Sequence, residues 1–364
     1  MSTFHRILCP IDFSDASRRA LIRALGIATQ HESVITVLHV QSAFALAAQV
    51  EAGLYVSVLP SAQDALVDFV AKTVTDKHHE IRMVSTTGDV VETIIEQAER
   101  ESSDLIIMAT HGRSGISRVL LGSVTERVLR EARCPVMTIP AVAETPASSE
   151  GKPFDPILCP SDFSRSCSKA LKLALSIREQ TDARLILLHV LQWPAFAGGM
   201  LPLPVVAEIN ADADDWRREA MATLEQGLPE DARSRRRHTA MVVPGRPSQT
   251  ILRIAQEEHA GLIVMGVQSR GTIDRLLFGS TTREVIHAAQ CPVLSVRADK
   301  NDPPWVFAAD IAQLRVGRRR CLQPAAARRR AVAGGQTAEA SRAFADTRGH
   351  RVPITSRPAA GLSA

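Results

Sequence analysis

The chain has 364 residues, 45% hydrophobic and 23% charged, with a formal net charge of +4. That length exceeds one ordinary core and suits two domains of roughly 100–150 residues with some chain to spare. No apolar run approaches the ~18–20 residues of a membrane span, and Met1-Ser2-Thr3-Phe4-His5-Arg6 leads into a strand without a charged-then-apolar leader, so a cytoplasmic protein with no membrane role is expected.

Ile7-Leu8-Cys9-Pro10 reads as a short buried strand. Asp12-Phe13-Ser14 then starts a helix, with Asp12 able to cap it, and Ala20, Leu21, Ala24, Leu25 and Ala28 recur at helical spacing. Val34 to Val40 is a second strand, largely apolar with Thr36 and His39 inside it, as a strand covered on both faces is. Gln41 to Ser61 is an irregular connection, Ala62 to His78 a helix, Ile81 to Thr86 a strand, and Gly88-Asp89 a turn and cap before an amphipathic helix from Val90 to Arg100. Leu105 to Ala109 is the fourth strand. Ser123 to Ala132 is the last long helix, with Ser123 and Glu126 in capping-box register, and Val136 to Ile139 is the fifth strand. Ala141 to Pro153 has no period and reads as a linker.

The pattern then restarts. Ile157-Leu158-Cys159-Pro160-Ser161-Asp162-Phe163-Ser164 repeats the opening, and strands follow at Leu185 to Val190, Met241 to Val243, Leu262 to Gly266 and Val293 to Val296. Alternating strands and helices joined by right-handed crossovers give a doubly wound parallel sheet. The expected architecture is therefore α/β: two five-stranded, Rossmann-like domains in tandem (1–142 and 155–298), a linker over 143–154, and an Ala/Arg/Pro-rich tail over 299–364 expected to be disordered. From Ala298 onward twelve Lys and Arg stand against five Asp and Glu, which leaves the preceding residues mildly acidic.

Ligands of such sheets sit at the carboxyl ends of the strands, where strand order reverses. If the first strand lies beside the fourth, Asp12 and the loop after Ala109 meet there. That loop runs Thr110-His111-Gly112, nine residues, Gly122-Ser123-Val124, a strand–loop–helix start suited to an anion. Its second copy is Gly266-Val267-Gln268-Ser269, nine residues, Gly279-Ser280. Arg113, Arg118, Arg270 and Arg275 either reach a triphosphate or form a solvated face. His111 reads as a loop residue. Of the six cysteines, Cys9, Cys159, Cys134 and Cys291 occupy matching strand positions with no CxxC and no metal-ligand spacing, so they are expected to be buried and structural, with no metal site.

Pro10-x-Asp12-x-Ser14, Leu38-His39-Val40 and the small-x2-Gly-x9-Gly-Ser loop with its trailing Cys134-Pro135-Val136, each in register twice, resemble the universal stress protein family in its tandem arrangement, over roughly 4–140 and 155–297. In ATP-binding members the aspartate after the first strand binds adenosine, the valine ending the second strand lines the adenine pocket, and the glycine loop holds the phosphates. The resemblance thus implies a first ATP site of Pro10, Asp12, Val40, Ala109, Gly112, Gly122, Ser123 and Val124. It implies a second of Pro160, Asp162, Val190, Gly266, Ser269, Gly279 and Ser280. The chain departs from the motif at Ala109 and at Ser269, the latter where glycine permits positive φ or close backbone approach to a phosphate.

The expected function is a stress-response regulator that binds ATP, with or without Mg2+, and hydrolyses it slowly at most. No Gly-x4-Gly-Lys-Ser/Thr, Gly-x-Gly-x-x-Gly or His-Glu-x-x-His motif supports faster chemistry. The alternative is an interaction protein of the same fold with no nucleotide. Nucleic-acid binding through the arginine-rich tail ranks last, because no aromatics interleave the charges. Single-domain members of the family pair through their last strands, so the resemblance implies an internal pseudo-dimer of the two halves through Val136 to Ile139 and Val293 to Val296, whose apolar edges would otherwise lie open, with a further homodimer and an unidentified regulatory protein partner left open.

Overall fold

This computed structural model describes residues 4–42, 61–74, 80–112, 121–140, 154–192, 203–234, 237–267, 279–298, 302 and 305. The first repeat runs β1 (Arg6–Ile11), α1 (Asp15–His31), β2 (Val34–Ser42), α2 (Ala62–Thr73), β3 (Ile81–Gly88), α3 (Val90–Arg100), β4 (Leu105–Ala109), α4 (Ser123–Glu131), β5 (Val136–Ile139). The second runs β6 (Ile157–Ser161), α5 (Arg165–Thr181), β7 (Leu185–Leu191), α6 (Leu203–Gln226), α7 (Glu230–Ser234), β8 (His238–Pro244), α8 (Pro247–Glu257), β9 (Leu262–Val267), α9 (Ser280–Ala288), β10 (Val293–Arg297).

The strands are apolar on both faces because helices cover both. Ile7, Cys9 and Ile11 of β1 face one core, shared with Leu21 and Ala24 of α1 and Leu66 and Phe69 of α2. Leu8, between them, faces the other core, with Val91 and Ile94 of α3 and Val128 and Leu129 of α4. The second repeat divides in the same way, its α5 and α6 on the first face and its α8 and α9 on the second.

The two predicted five-stranded sheets are joined edge to edge in one ten-stranded sheet, ordered β3-β2-β1-β4-β5-β10-β9-β6-β7-β8. Every other pairing is parallel; β5 and β10 pair antiparallel, with Leu294 opposite Met137 and the Thr138 hydroxyl donating to the Val293 carbonyl at 3.2 Å. The pairing removes two apolar edges that would otherwise lie open. Across the same junction the Arg297 guanidinium donates to the carbonyls of Arg130 (2.5 Å) and Ala132 (3.3 Å) at the C-terminal end of α4, where backbone acceptors and the helix dipole favour a cation.

Several local expectations are corrected. The first helix is capped by Ser14, whose hydroxyl accepts from the Ser17 N–H at 3.1 Å, and not by Asp12. Gly122 is the N-cap of α4 and Ser123 its first helical residue; no side chain caps it, so the capping box is not formed. Glu126 instead accepts from Arg130 and Arg283. The second strand extends to Ser42, and α2 ends at Thr73. Phe154, assigned to the linker, is fully buried, with Arg23 over its ring at 5.6 Å. Most of the linker, and the tail beyond Trp305, lie outside the described residues. Trp305 itself, placed in a disordered tail by composition, is 1% exposed and packs into the second repeat.

One close approach separates the repeats. A methyl group on Gly266 would sit 2.4 Å from the Ser166 carbonyl carbon and 2.5 Å from the Cys167 nitrogen, so α5 lies directly on β9. The first repeat has Ala109 there, and its methyl is accommodated in strand geometry at the end of β4. Gly266→Ala is expected to cost about 1–3 kcal/mol through overpacking, read as a lower urea midpoint; an unchanged midpoint would contradict the close packing.

Candidate functional site

The crevice opens because two ladders end at different places. β1 pairs with β2 from Arg6 to Ile11 but with β4 only at Ile7 and Leu8. Pro10, which has no N–H to offer, lies beyond the last β4 pair. The second repeat repeats the device: β6 pairs with β9 only at Ile157 and Leu158, and Pro160 follows. This is the reversal point of a doubly wound sheet, and Asp12 and Asp162 stand at its mouth.

Asp12 is aimed by a strained turn. Phe13 has φ 66° and Phe163 φ 60°, a left-handed conformation that costs a bulky L-residue about 1–2 kcal/mol. Each phenyl ring packs on a histidine from the neighbouring strand: Phe13 tilted on His39 at 4.2 Å between centroids, Phe163 stacked on His189 at 4.4 Å. The histidines are fixed in turn, since His39 Nδ1 lies 3.0 Å from the Ile11 carbonyl and His189 Nδ1 2.8 Å from the Ser161 carbonyl. A carbonyl only accepts, so Nδ1 carries a hydrogen in both rings. The same left-handed turn thus follows the first strand of each repeat and aims Asp12 and Asp162 alike. Sequence reasoning quoted Asp-Phe-Ser and Leu-His-Val in both repeats but gave Phe13 and His39 no role; their exact repetition was the available signal.

The Asp12 carboxylate accepts from the Ser14 N–H at 3.1 Å and the Ser14 hydroxyl at 2.6 Å. Its other oxygen lies against Gly112, where a Cβ would stand 2.5 Å from it. Gly112 thus leaves room for the Asp12 carboxylate where it stands, and it has no positive φ; a side chain at 112 would push that carboxylate aside. Val40 lies in register one residue past the Ile11–His39 pair, level with Asp12 and half-buried against the second core.

The glycine loop is stitched at both ends. Thr125 donates its hydroxyl to the Ala109 carbonyl at 3.0 Å, and the Gly122 N–H donates to the Thr110 carbonyl at 3.0 Å. Because Gly122 supplies no capping side chain, the first-turn N–H groups at Ser123, Val124 and Thr125 have no side-chain acceptor among the described residues. Ser123 is exposed and Val124 half-buried beside them. Gly279 and Ser280 present the same uncapped start of α9. The arrangement of carboxylate, close-approach glycine and uncapped helix start fits an anionic ligand with a polar, hydroxyl-bearing end.

The second site differs in detail. Asp162 accepts from the Ser164 N–H at 3.0 Å and the Cys167 thiol at 3.1 Å, where Ser17 stands in the first repeat. Burial pushes the Cys167 thiol up to about 12, so it is a proton donor and not a nucleophile. Burial also raises Cys9, Cys134, Cys159 and Cys291, and all five thiols are free. Val190 is half-buried against the second core, and Gly266 lies under the start of α5. Ser269 and Arg113, Arg118, Arg270 and Arg275 lie outside the described residues. Among those described, no cluster of three or more His, Cys, Asp or Glu could hold a metal ion, and no helix is long and apolar enough to cross a membrane.

The universal stress protein family model matches residues 3–140 and again 153–297. A universal stress protein of Mycolicibacterium smegmatis is 26% identical over 306 residues, covering 81% of this chain and 98% of its own. One from Methanocaldococcus jannaschii is 32% identical over 139 residues, 37% of this chain and 82% of its own. Among solved structures, a universal stress protein from Archaeoglobus fulgidus superposes with a TM-score of 0.52 at 23% identity, covering 80% of this chain and 98% of that one. With both repeats matched and the two crevices built alike, the chain belongs to the universal stress protein family, as a tandem two-domain member.

Proposed function

We propose that this chain binds ATP at the crevice of its first repeat, and more weakly at that of its second, and that occupancy sets its state as a stress-response regulator. The observation that carries this reading is Asp12 seated against Gly112 beside an uncapped α4 N-terminus. Asp12 would take the ribose hydroxyls, Val40 would line the adenine pocket, and the N–H groups of the loop and of α4 would take the phosphates, which carry any Mg2+ with them. Backbone donors that hold ground and transition states equally do not raise turnover. Among the described residues no base or water-orienting group stands at the phosphate end, and hydrolysis far below the ~1–100 s⁻¹ of kinases is expected.

Mass spectrometry of nucleotide released from the heat-denatured, purified protein, together with ATP titration calorimetry, tests the proposal. Adenine nucleotide released at up to one or two equivalents, or saturable ATP binding, is the expected result. No released nucleotide and no binding at millimolar ATP would overturn it in favour of an interaction protein of the same fold.

A further inference from the structure

His111 is the first side chain of the glycine loop, and its ring meets that of His287 from the other repeat. The centroids are 6.2 Å apart and the planes at 66°. Both residues are half-buried, and the Nε2 atom of each is buried with no hydrogen-bond partner among the described residues. His111 Nδ1 lies 3.0 Å from the Thr110 hydroxyl. Buried polar atoms are seldom left unsatisfied. One water between the two rings would complete both.

The contact is held in place from the second repeat. His287 follows Arg283 by four residues, so both project from one face of α9. Arg283 donates across the junction to Glu126 of α4 at 2.9 Å, and Arg130 donates to the same oxygen at 2.8 Å. That face of α9 is thus tied to the helix whose first turn forms the first site.

We propose that His287 is a positioning residue for the first nucleotide site, acting in trans through His111. Thr110 is pinned on both sides, its N–H donating to the Ile139 carbonyl and its carbonyl accepting from Gly122. The direction in which the chain then enters Gly112 depends on where the His111 ring is seated. His287 fixes that seat, keeping Gly112 against Asp12, which lowers the cost of binding. The pair is not repeated: by the spacing of the two loops, Arg130 and Gln268 occupy the equivalent positions. The coupling therefore serves the first site alone. This inference rests on the reading of that site as a nucleotide site.

The test uses the full chain in two backgrounds, Asp162→Ala to isolate the first site and Asp12→Ala to isolate the second, with ATP titrated by calorimetry. In the first background His287→Ala and His111→Ala should each weaken binding about tenfold. The double variant should be no worse than either, because contacting residues are non-additive. His287→Gln, which keeps a hydrogen-bonding group, should recover part of the loss. Affinity within twofold of the parent, or additive losses, would overturn the proposal. So would a loss in the second background, which would show His287 acting through its own helix. Amide hydrogen exchange without nucleotide provides a separate measure: faster exchange at 110–112 in His287→Ala is expected. Unchanged exchange would overturn the coupling, whereas faster exchange in a protein that binds no ATP would leave it standing and remove only the nucleotide reading.

Discussion

Trp305→Ala is expected to destabilise the chain by about 3–5 kcal/mol, the range for deleting a large buried aromatic. Trp305 is 1% exposed, donates its indole N–H to the Thr223 carbonyl at 3.2 Å, and meets Phe163 edge-on with centroids 5.6 Å apart. Gly227 makes room for it, since a Cβ there would stand 2.4 Å from the indole. The Lys169–Asp302 ion pair at 3.3 Å holds the approach of the segment. In the first repeat Phe69 of α2 does the same for Phe13, again at 5.6 Å. The second repeat thus completes its core with a residue that follows its last strand. Urea unfolding should show the loss as a lower midpoint, and a shift equivalent to less than about 1 kcal/mol would mean that the indole is not part of the core.

The second large effect is on binding. Asp12→Ala should weaken ATP binding about tenfold or more, the value of a charge-assisted hydrogen bond, and Asp162→Ala should weaken it less. Asp12 approaches Gly112 more closely than any side chain at that position would allow. The second loop carries Ser269 at the matching place, so an equally close approach of Asp162 would meet a Cβ. Asp162 is also the more exposed of the two and takes a thiol in place of the Ser14 hydroxyl. Ser14 supplies the cap of α1 and Asp12 only orients its hydroxyl, so the Asp12 substitution leaves the capping group in place. Calorimetry on both single variants decides the ranking, which equal losses or a larger loss from Asp162→Ala would reverse.

What could be read from the sequence was local or repeated. Apolar runs four to seven residues long located the strands, helical spacing in residues 20–28 located α1, and two copies of Asp-Phe-Ser, Leu-His-Val and the glycine loop placed both crevices, because these patterns depend on neighbours along the chain. Even so, the helix start at Gly122 was misassigned: Ser123 and Glu126 have the spacing of a capping box, and only the tertiary fold turns Glu126 toward Arg283.

The tertiary structure decided whatever depends on partners distant in sequence. Nothing in the order of residues indicates that Gly112 leaves room for Asp12, that Phe13 rests on His39, that His287 reaches the first loop, or that Trp305 stands in for Phe69. The edge-to-edge join of β5 and β10 was expected from the family resemblance, whose single-domain members pair through their last strands, and from their apolar edges, but its register was not. Each of these contacts is set by packing between elements already formed, and packing selects on shape and proximity, which leave no period in a sequence.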